Sequence, residues 1–168
     1  MEYCKKIYDP DLLRDILIDL RQSKKLIVFT NGCFDLLHAG HVRYLNDARS
    51  HGDFLVVGLN SDESVRSIKG ERRPVIPQSQ RAEVLAGLGC VDYVTIFHEP
   101  DPFKLIEKIQ PDVLVKGADW TEDKIIGADI VKKRGGKVIR IRLTPEVSTS
   151  KIIRKILITC GNPKERLC

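Results

Sequence analysis

The sequence predicts an α/β fold: a Rossmann-like, doubly wound, parallel five-stranded sheet with helices on both faces. Three observations predict it. Apolar runs of strand length alternate regularly with longer segments of helical period. Turn and cap residues punctuate that alternation, as at Pro102 and Gly135-Gly136. The 168 residues, 42% hydrophobic and 30% charged, suit one globular domain spanning 1–168, without repeat or low-complexity linker.

In chain order, residues 10–22 read as a first helix, with Leu12, Leu13, Ile16, Leu17 and Leu20 on one side. Residues 25–30 (KLIVFT) form a buried strand, and 39–50 a helix with Tyr44, Leu45 and Ala48 toward the core. Residues 53–59 (DFLVVGL) are the second strand, followed by helices over 61–68 and 78–88. The third strand covers 92–96. Helix 101–109 carries Pro102 in its first turn, where a missing N–H costs nothing. Strand 112–115 (DVLV), helix 127–134, strand 137–141 and helix 148–158 complete the alternation, and a tail over about 159–168 is expected to fray. In such a sheet ligands bind beyond the carboxyl ends of the strands, where the strand order reverses, so the chemistry is expected after Thr30, Leu59, Val115 and Ile141.

Composition excludes several classes. No apolar run reaches the length of a membrane span, and the N-terminus lacks the apolar core of a signal peptide, so a cytoplasmic address is expected. Five scattered cysteines without a C-x-x-C pair suggest neither a disulfide framework nor a cysteine-rich zinc site. The net charge of +5 is spread along the chain, and aromatics are only 6%, which argues against a nucleic-acid-binding module and for an enzyme with anionic substrates.

The loop after the first strand reads Thr30-Asn31-Gly32-Cys33-Phe34-Asp35-Leu36-Leu37-His38-Ala39-Gly40-His41. His38 and His41 share one face at a helix start, where unpaired N–H groups and the positive dipole end suit phosphate. Two imidazoles there add donors for charge developing in a transition state. The alternatives are structural histidines, or Cys33, His38 and His41 as metal ligands, for which no fourth ligand is evident. Asp35 reads as a structural hydrogen-bond acceptor.

The string G-x-F-D-x-x-H-x-G-H, complete from Gly32 to His41, resembles the signature of the cytidylyltransferase-like nucleotidyltransferases. The likeness runs from about Lys25 to Ile158. Within that family the chain is most similar to the adenylyltransferase domain of the bacterial ADP-heptose synthases, through Phe29–Gly32, Leu59–Asp62, Lys69–Val75, Gln80-Arg81 and Leu114–Asp119. The resemblance implies that an adenylyl group passes from ATP to a heptose 1-phosphate, with in-line attack at the α-phosphate and loss of pyrophosphate. A cytidylyltransferase using CTP and glycerol 3-phosphate is the alternative. A homodimer is implied too. The sugar kinase often fused to this domain would be a separate protein.

The resemblance also assigns sites. His38, His41 and Lys69 would act on the α-phosphate, with Lys69 also reaching the incoming sugar phosphate from a mobile loop. Thr30, Asn31, Gly32, Cys33, Phe34, Gly40, Lys116, Gly117, Asp119 and Trp120 would bind the nucleotide. Core packing is the commoner fate of a tryptophan such as Trp120, and Asp119 could instead cap the following turn. Arg81, a cation near a helix start, is expected at the substrate phosphate. Val147, Ser148, Thr149 and Ser150 match the hydroxyls of the family's second motif, I-S-S-T-x-x-R, though one hydroxyl is explained by capping alone. Ile153 stands where that motif has arginine, leaving Lys151 or Arg154 to supply the charge. Magnesium is expected to bind through substrate phosphates and water, so no acidic cluster is required.

Overall fold

The structure, a computed structural model, describes residues 5–142 and 147–160. Its elements are α1 (Pro10–Gln22), β1 (Ile27–Gly32), α2 (Ala39–Arg49), β2 (Phe54–Asn60), α3 (Asp62–Lys69), α4 (Gln78–Ala86), β3 (Tyr93–Phe97), α5 (Phe103–Ile109), β4 (Val113–Gly117), α6 (Ala128–Lys133), β5 (Lys137–Ile141) and α7 (Thr149–Thr159). A short 3-10 turn over Glu122–Lys124, absent from the sequence reading, precedes α6. The five strands are all parallel in the order β3-β2-β1-β4-β5. No helix among the described residues is long and apolar enough to cross a membrane.

Because strand side chains alternate, the sheet builds two cores. On one face Val28, Leu55, Val57, Val113 and Val115 pack with Tyr44, Leu45 and Ala48 of α2 and Ala82, Leu85 and Ala86 of α4. On the other Ile27, Phe29, Val56 and Leu114 pack with Leu13 and Leu17 of α1, Leu105, Ile106 and Ile109 of α5, and Val131 of α6. The apolar side expected of α1 is narrower than the sequence suggested. Leu12 is 62% exposed, because only a stripe centred on Leu13 and Leu17 meets the sheet. Gly127 opens α6 at φ 83°, and a Cβ there would lie 2.7 Å from Ile106, so glycine is required by both conformation and packing.

The reversal of strand order falls between β1 and β4. β1 pairs with β2 along its full length, from Ile27 to Gly32, but with β4 only at Val28↔Val113 and Phe29↔Leu114. Beyond these pairs the two strands part toward their carboxyl ends. Side chains bridge the gap in place of backbone bonds: the Tyr44 hydroxyl lies 2.7 Å from Thr30 Oγ1 and donates to the Val115 carbonyl at 3.3 Å. Farther along, Lys116 Nζ donates to Asn31 Oδ1 at 2.5 Å. The strand register thus opens a crevice with a polar floor at the switch point.

Most boundaries match the sequence reading within two residues. The first, second and fourth strands run farther into their loops than expected, since polar Asn31, Asn60 and Lys116 still hold extended backbone. α5 starts at Phe103, with Pro102 as its N-cap rather than inside its first turn. The last helix ends at Thr159, and the tail expected to fray lies mostly in 161–168, outside the described residues.

Candidate functional site

A cleft of about 470 Å³ occupies the switch point. The loop after β1 forms its centre. The loop after β4 and the start of α7, which follows β5, form one flank, and the end of α3 with the segment after it, both following β2, form the other. The cleft brings together Asn31, Gly32, Cys33, Phe34, His38, Gly40, His41, Lys69, Lys116, Gly117, Asp119, Trp120, Val147, Ser148, Thr149 and Ser150. Four of its residues were not singled out from the sequence as binding groups: Asp35, Tyr44, Ile68 and Arg73.

Phe34 adopts φ 44°, folding the chain back so that its ring covers Gly32, where a Cβ would stand 3.0 Å from that ring. The same ring meets His41 edge-on, with centroids 5.3 Å apart. His38 is the N-cap of α2 and His41 stands in its first turn, and their rings stack at 3.9 Å. Burial lowers the pKa of His38, and burial followed by repulsion from His38 lowers that of His41 to about 4. Both imidazoles are therefore neutral at neutral pH. Each has a buried Nδ1 without a hydrogen-bond partner among the described residues. Buried polar atoms are ordinarily paired, so two orphans on adjacent rings are an exception to the rule for protein interiors.

A second helix start faces the same cleft. Ser148 Oγ accepts from the Lys151 N–H, so this hydroxyl is the cap that the alternative reading required. Thr149 Oγ1 donates to the Leu36 carbonyl at 3.3 Å, tying the start of α7 to the loop before α2. Its hydroxyl proton is thus engaged within the protein. The backbone N–H groups of Thr149 and Ser150, like those of Ala39 and Gly40 in α2, make no hydrogen bond to a described residue. Two positive helix ends converge on one cleft, an arrangement suited to a polyphosphate. Neither Lys151 nor Arg154 lines it; its cations are Lys69, Arg73 and Lys116.

Lys116 is largely buried, and desolvation brings its ammonium down to about 8, with Asp119 and Cys33 partly opposing the shift. Burial raises the Cys33 thiol, against the pull of Lys69, Arg81 and Arg73. Trp120, 47% exposed, borders the cleft rather than filling the core. Asp35, whose side chain is almost wholly buried, accepts from Arg73 Nε at 2.5 Å and from the backbone N–H groups of Val75 and Ile76 at 2.7 and 3.0 Å. It is a structural acceptor, and it pins the segment after α3 to the loop after β1.

Two expectations are corrected. Thr30 is fully buried beneath the cleft and bonded to Tyr44, because β1 continues two residues beyond it. Arg81 is 1% exposed and saturated by protein: it donates to the Ile76 and Cys33 carbonyls at 2.9 and 2.5 Å and pairs with Asp62 at 2.7 Å. A cation near a helix start looked like a ligand for phosphate, but its partners are two carbonyls and the Asp62 carboxylate. Arg73, by contrast, was legible only as one charge in the run Lys69 to Arg73, since nothing local reveals its pairing with Asp35.

A parallel sheet in 3-2-1-4-5 order, with paired histidines and two helix starts at its switch point, is a doubly wound α/β architecture with a site suited to phosphates. The family model described as cytidylyltransferase-like matches residues 29–155, and the chain belongs to that family. It is 51% identical to the bifunctional protein HldE of Syntrophotalea carbinolica over 157 residues, 94% of this chain and 32% of that protein. It is likewise 51% identical to bifunctional protein HldE of Geobacter sulfurreducens over 156 residues, 93% of this chain and 32% of the relative. The chain thus spans about a third of the length of these relatives. Among solved structures, it resembles a lipopolysaccharide core biosynthesis protein from Thermoplasma volcanium, with TM-score 0.58, 29% identity and coverage of 71% of this chain and 97% of the other.

Proposed function

We propose that this chain transfers the adenylyl group of ATP to heptose 1-phosphate, giving ADP-heptose and pyrophosphate. The observation that carries the reading is the convergence of the stacked His38–His41 pair with two helix starts whose first N–H groups bond no described residue. Identity of 51% over nearly the whole chain to the HldE proteins supports the adenylyl and heptose assignments.

The attacking phosphate monoester is ionised near neutral pH, its second pKa being about 6. It needs no general base from the protein, so catalysis is positioning and charge stabilisation. The α-phosphate lies against His38 and His41, whose neutral rings donate to its oxygens as charge accumulates. The departing pyrophosphate lies at the start of α7, where the Thr149 and Ser150 N–H groups point along a favourable dipole. Asn31, Gly117, Asp119 and Trp120 border the nucleoside, and Lys69 approaches the phosphates from the end of α3.

Magnesium accompanies the triphosphate as MgATP, held by phosphate oxygens and water. Of the cleft's carboxylates, Asp35 is engaged by Arg73 and two backbone N–H groups, so its oxygens have little left to offer a metal. A homodimer, implied by the resemblance, has one supporting feature, the exposed Ile156, Leu157 and Ile158 on α7. Sedimentation of the purified chain tests it.

The deciding experiment measures pyrophosphate release at matched ATP and CTP, each with heptose 1-phosphate and glycerol 3-phosphate. Turnover is expected with ATP and heptose 1-phosphate, since a site that hydrogen-bonds one base rejects another strongly. Turnover only with CTP and glycerol 3-phosphate would replace the substrate assignment and leave the histidine roles intact.

A further inference from the structure

We propose that Arg73 binds the phosphate of the acceptor substrate, its guanidinium oriented by Asp35, so that Arg73 and Lys69 form the acceptor side of the cleft. The inference rests on the in-line reaction proposed above. In such a displacement the attacking and leaving oxygens lie on opposite sides of the α-phosphorus. The start of α7, which takes the leaving pyrophosphate, follows β5 at one side of the crevice. The opposite flank is built after β2, and the cations it presents to the cleft are Lys69 and Arg73. With the pyrophosphate at the start of α7, in-line attack brings the acceptor phosphate to these two cations.

The bonding of Arg73 fits that task. Its Nε is fixed to the buried Asp35 carboxylate, while its two Nη groups have no hydrogen-bond partner among the described residues. The ion pair holds the guanidinium plane and leaves the end of the fork to donate two parallel bonds to a phosphate. The other cations nearby are committed: Arg81 to two carbonyls and Asp62, and Lys116 to Asn31 across the floor. A phosphate dianion approaching a triphosphate meets strong repulsion, and in a partly desolvated cleft that repulsion needs a fixed positive group on the acceptor side.

The test uses the full chain and the variants Arg73→Ala and Arg73→Lys. Calorimetry reads MgATP binding alone, then binding of heptose 1-phosphate and of glycerol 3-phosphate in the presence of α,β-methylene-ATP. Steady-state kinetics give the two KM values wherever wild-type turns over. Arg73→Ala is expected to weaken phosphate monoester binding about 10–100-fold, as loss of a bidentate charge-assisted contact does, with a much smaller change for MgATP. Arg73→Lys, which keeps the charge but not the fork, recovers only part. Equal weakening of MgATP and monoester, or an unchanged monoester affinity, overturns the proposal. Should Arg73→Ala fail to fold, Arg73→Lys decides by the same comparison. If wild-type turns over no sugar phosphate but Arg73→Ala still loses glycerol 3-phosphate binding, the heptose reading falls and the Arg73 site stands. If wild-type binds no monoester at all, both fall.

Discussion

Two imidazoles stacked at 3.9 Å at the start of α2 are central to the proposed chemistry. Burial keeps them neutral, and neutrality lets them sit face to face without repulsion. An approaching polyphosphate opposes that shift without needing to undo it, because a nearby anion favours the protonated ring. His38→Ala and His41→Ala are each expected to lower kcat by about 10²–10³ with smaller effects on ATP affinity, the size seen when one transition-state donor is lost. Single-turnover kinetics with retained near-wild-type rates would remove them from the mechanism. The same burial predicts a pH effect on stability. Folded His41 titrates near 4 and the unfolded side chain near 6.5, so between these values the unfolded chain binds more protons. Stability therefore falls as pH drops from 6.5 toward 4. Melting temperatures at pH 7 and pH 5 should show a decline in wild-type that is smaller in His41→Asn; an equal decline in both would place the sensitivity elsewhere.

Among the elements, α2 does two tasks. Its first turn presents the histidines, and one turn further on Tyr44 reaches between the parting strands β1 and β4. The Tyr44 phenol, pushed up to about 12 mainly by burial, stays neutral and bonds Thr30 and the Val115 carbonyl. Tyr44→Phe keeps the packing but leaves both partners short of a bond within the protein core. Chemical denaturation should show a loss of about 1–3 kcal/mol, the cost of unsatisfied buried polar groups. No change would mean that the strands close without the hydroxyl. At the other flank, Thr149 joins α7 to Leu36, so the two helix starts are held relative to one another by a side chain rather than by strand pairing.

For the whole molecule, the order β3-β2-β1-β4-β5 places every proposed ligand contact at one end of the sheet. Addition of MgATP to isotopically labelled protein should shift amide resonances in the loops after β1 and β4 and at the start of α7. The opposite end, including residues 23–26, 50–53 and 110–112, should remain still. Shifts concentrated at that opposite end would move the nucleotide out of the crevice.

The alternation of apolar runs determined the sheet, its helices and their order by itself, because hydrophobic period is a local property of the chain. The string from Gly32 to His41 and the hydroxyls from Ser148 to Ser150 were legible for the same reason: both are short, and each sits at a helix start. Pairing between distant loops was not legible. Arg81 read as a phosphate ligand and proved a buried strut, because its carbonyl and carboxylate partners come from Cys33, Ile76 and Asp62. Arg73, which the sequence did not single out, proved a member of the cleft, because Asp35, 38 residues earlier, holds it there. Ion pairs and hydrogen bonds of this kind depend on angles and distances of a few ångströms between segments that only folding brings together. Residue type and spacing therefore decided which groups could act, and the tertiary structure alone decided which of them face a ligand and which face the protein.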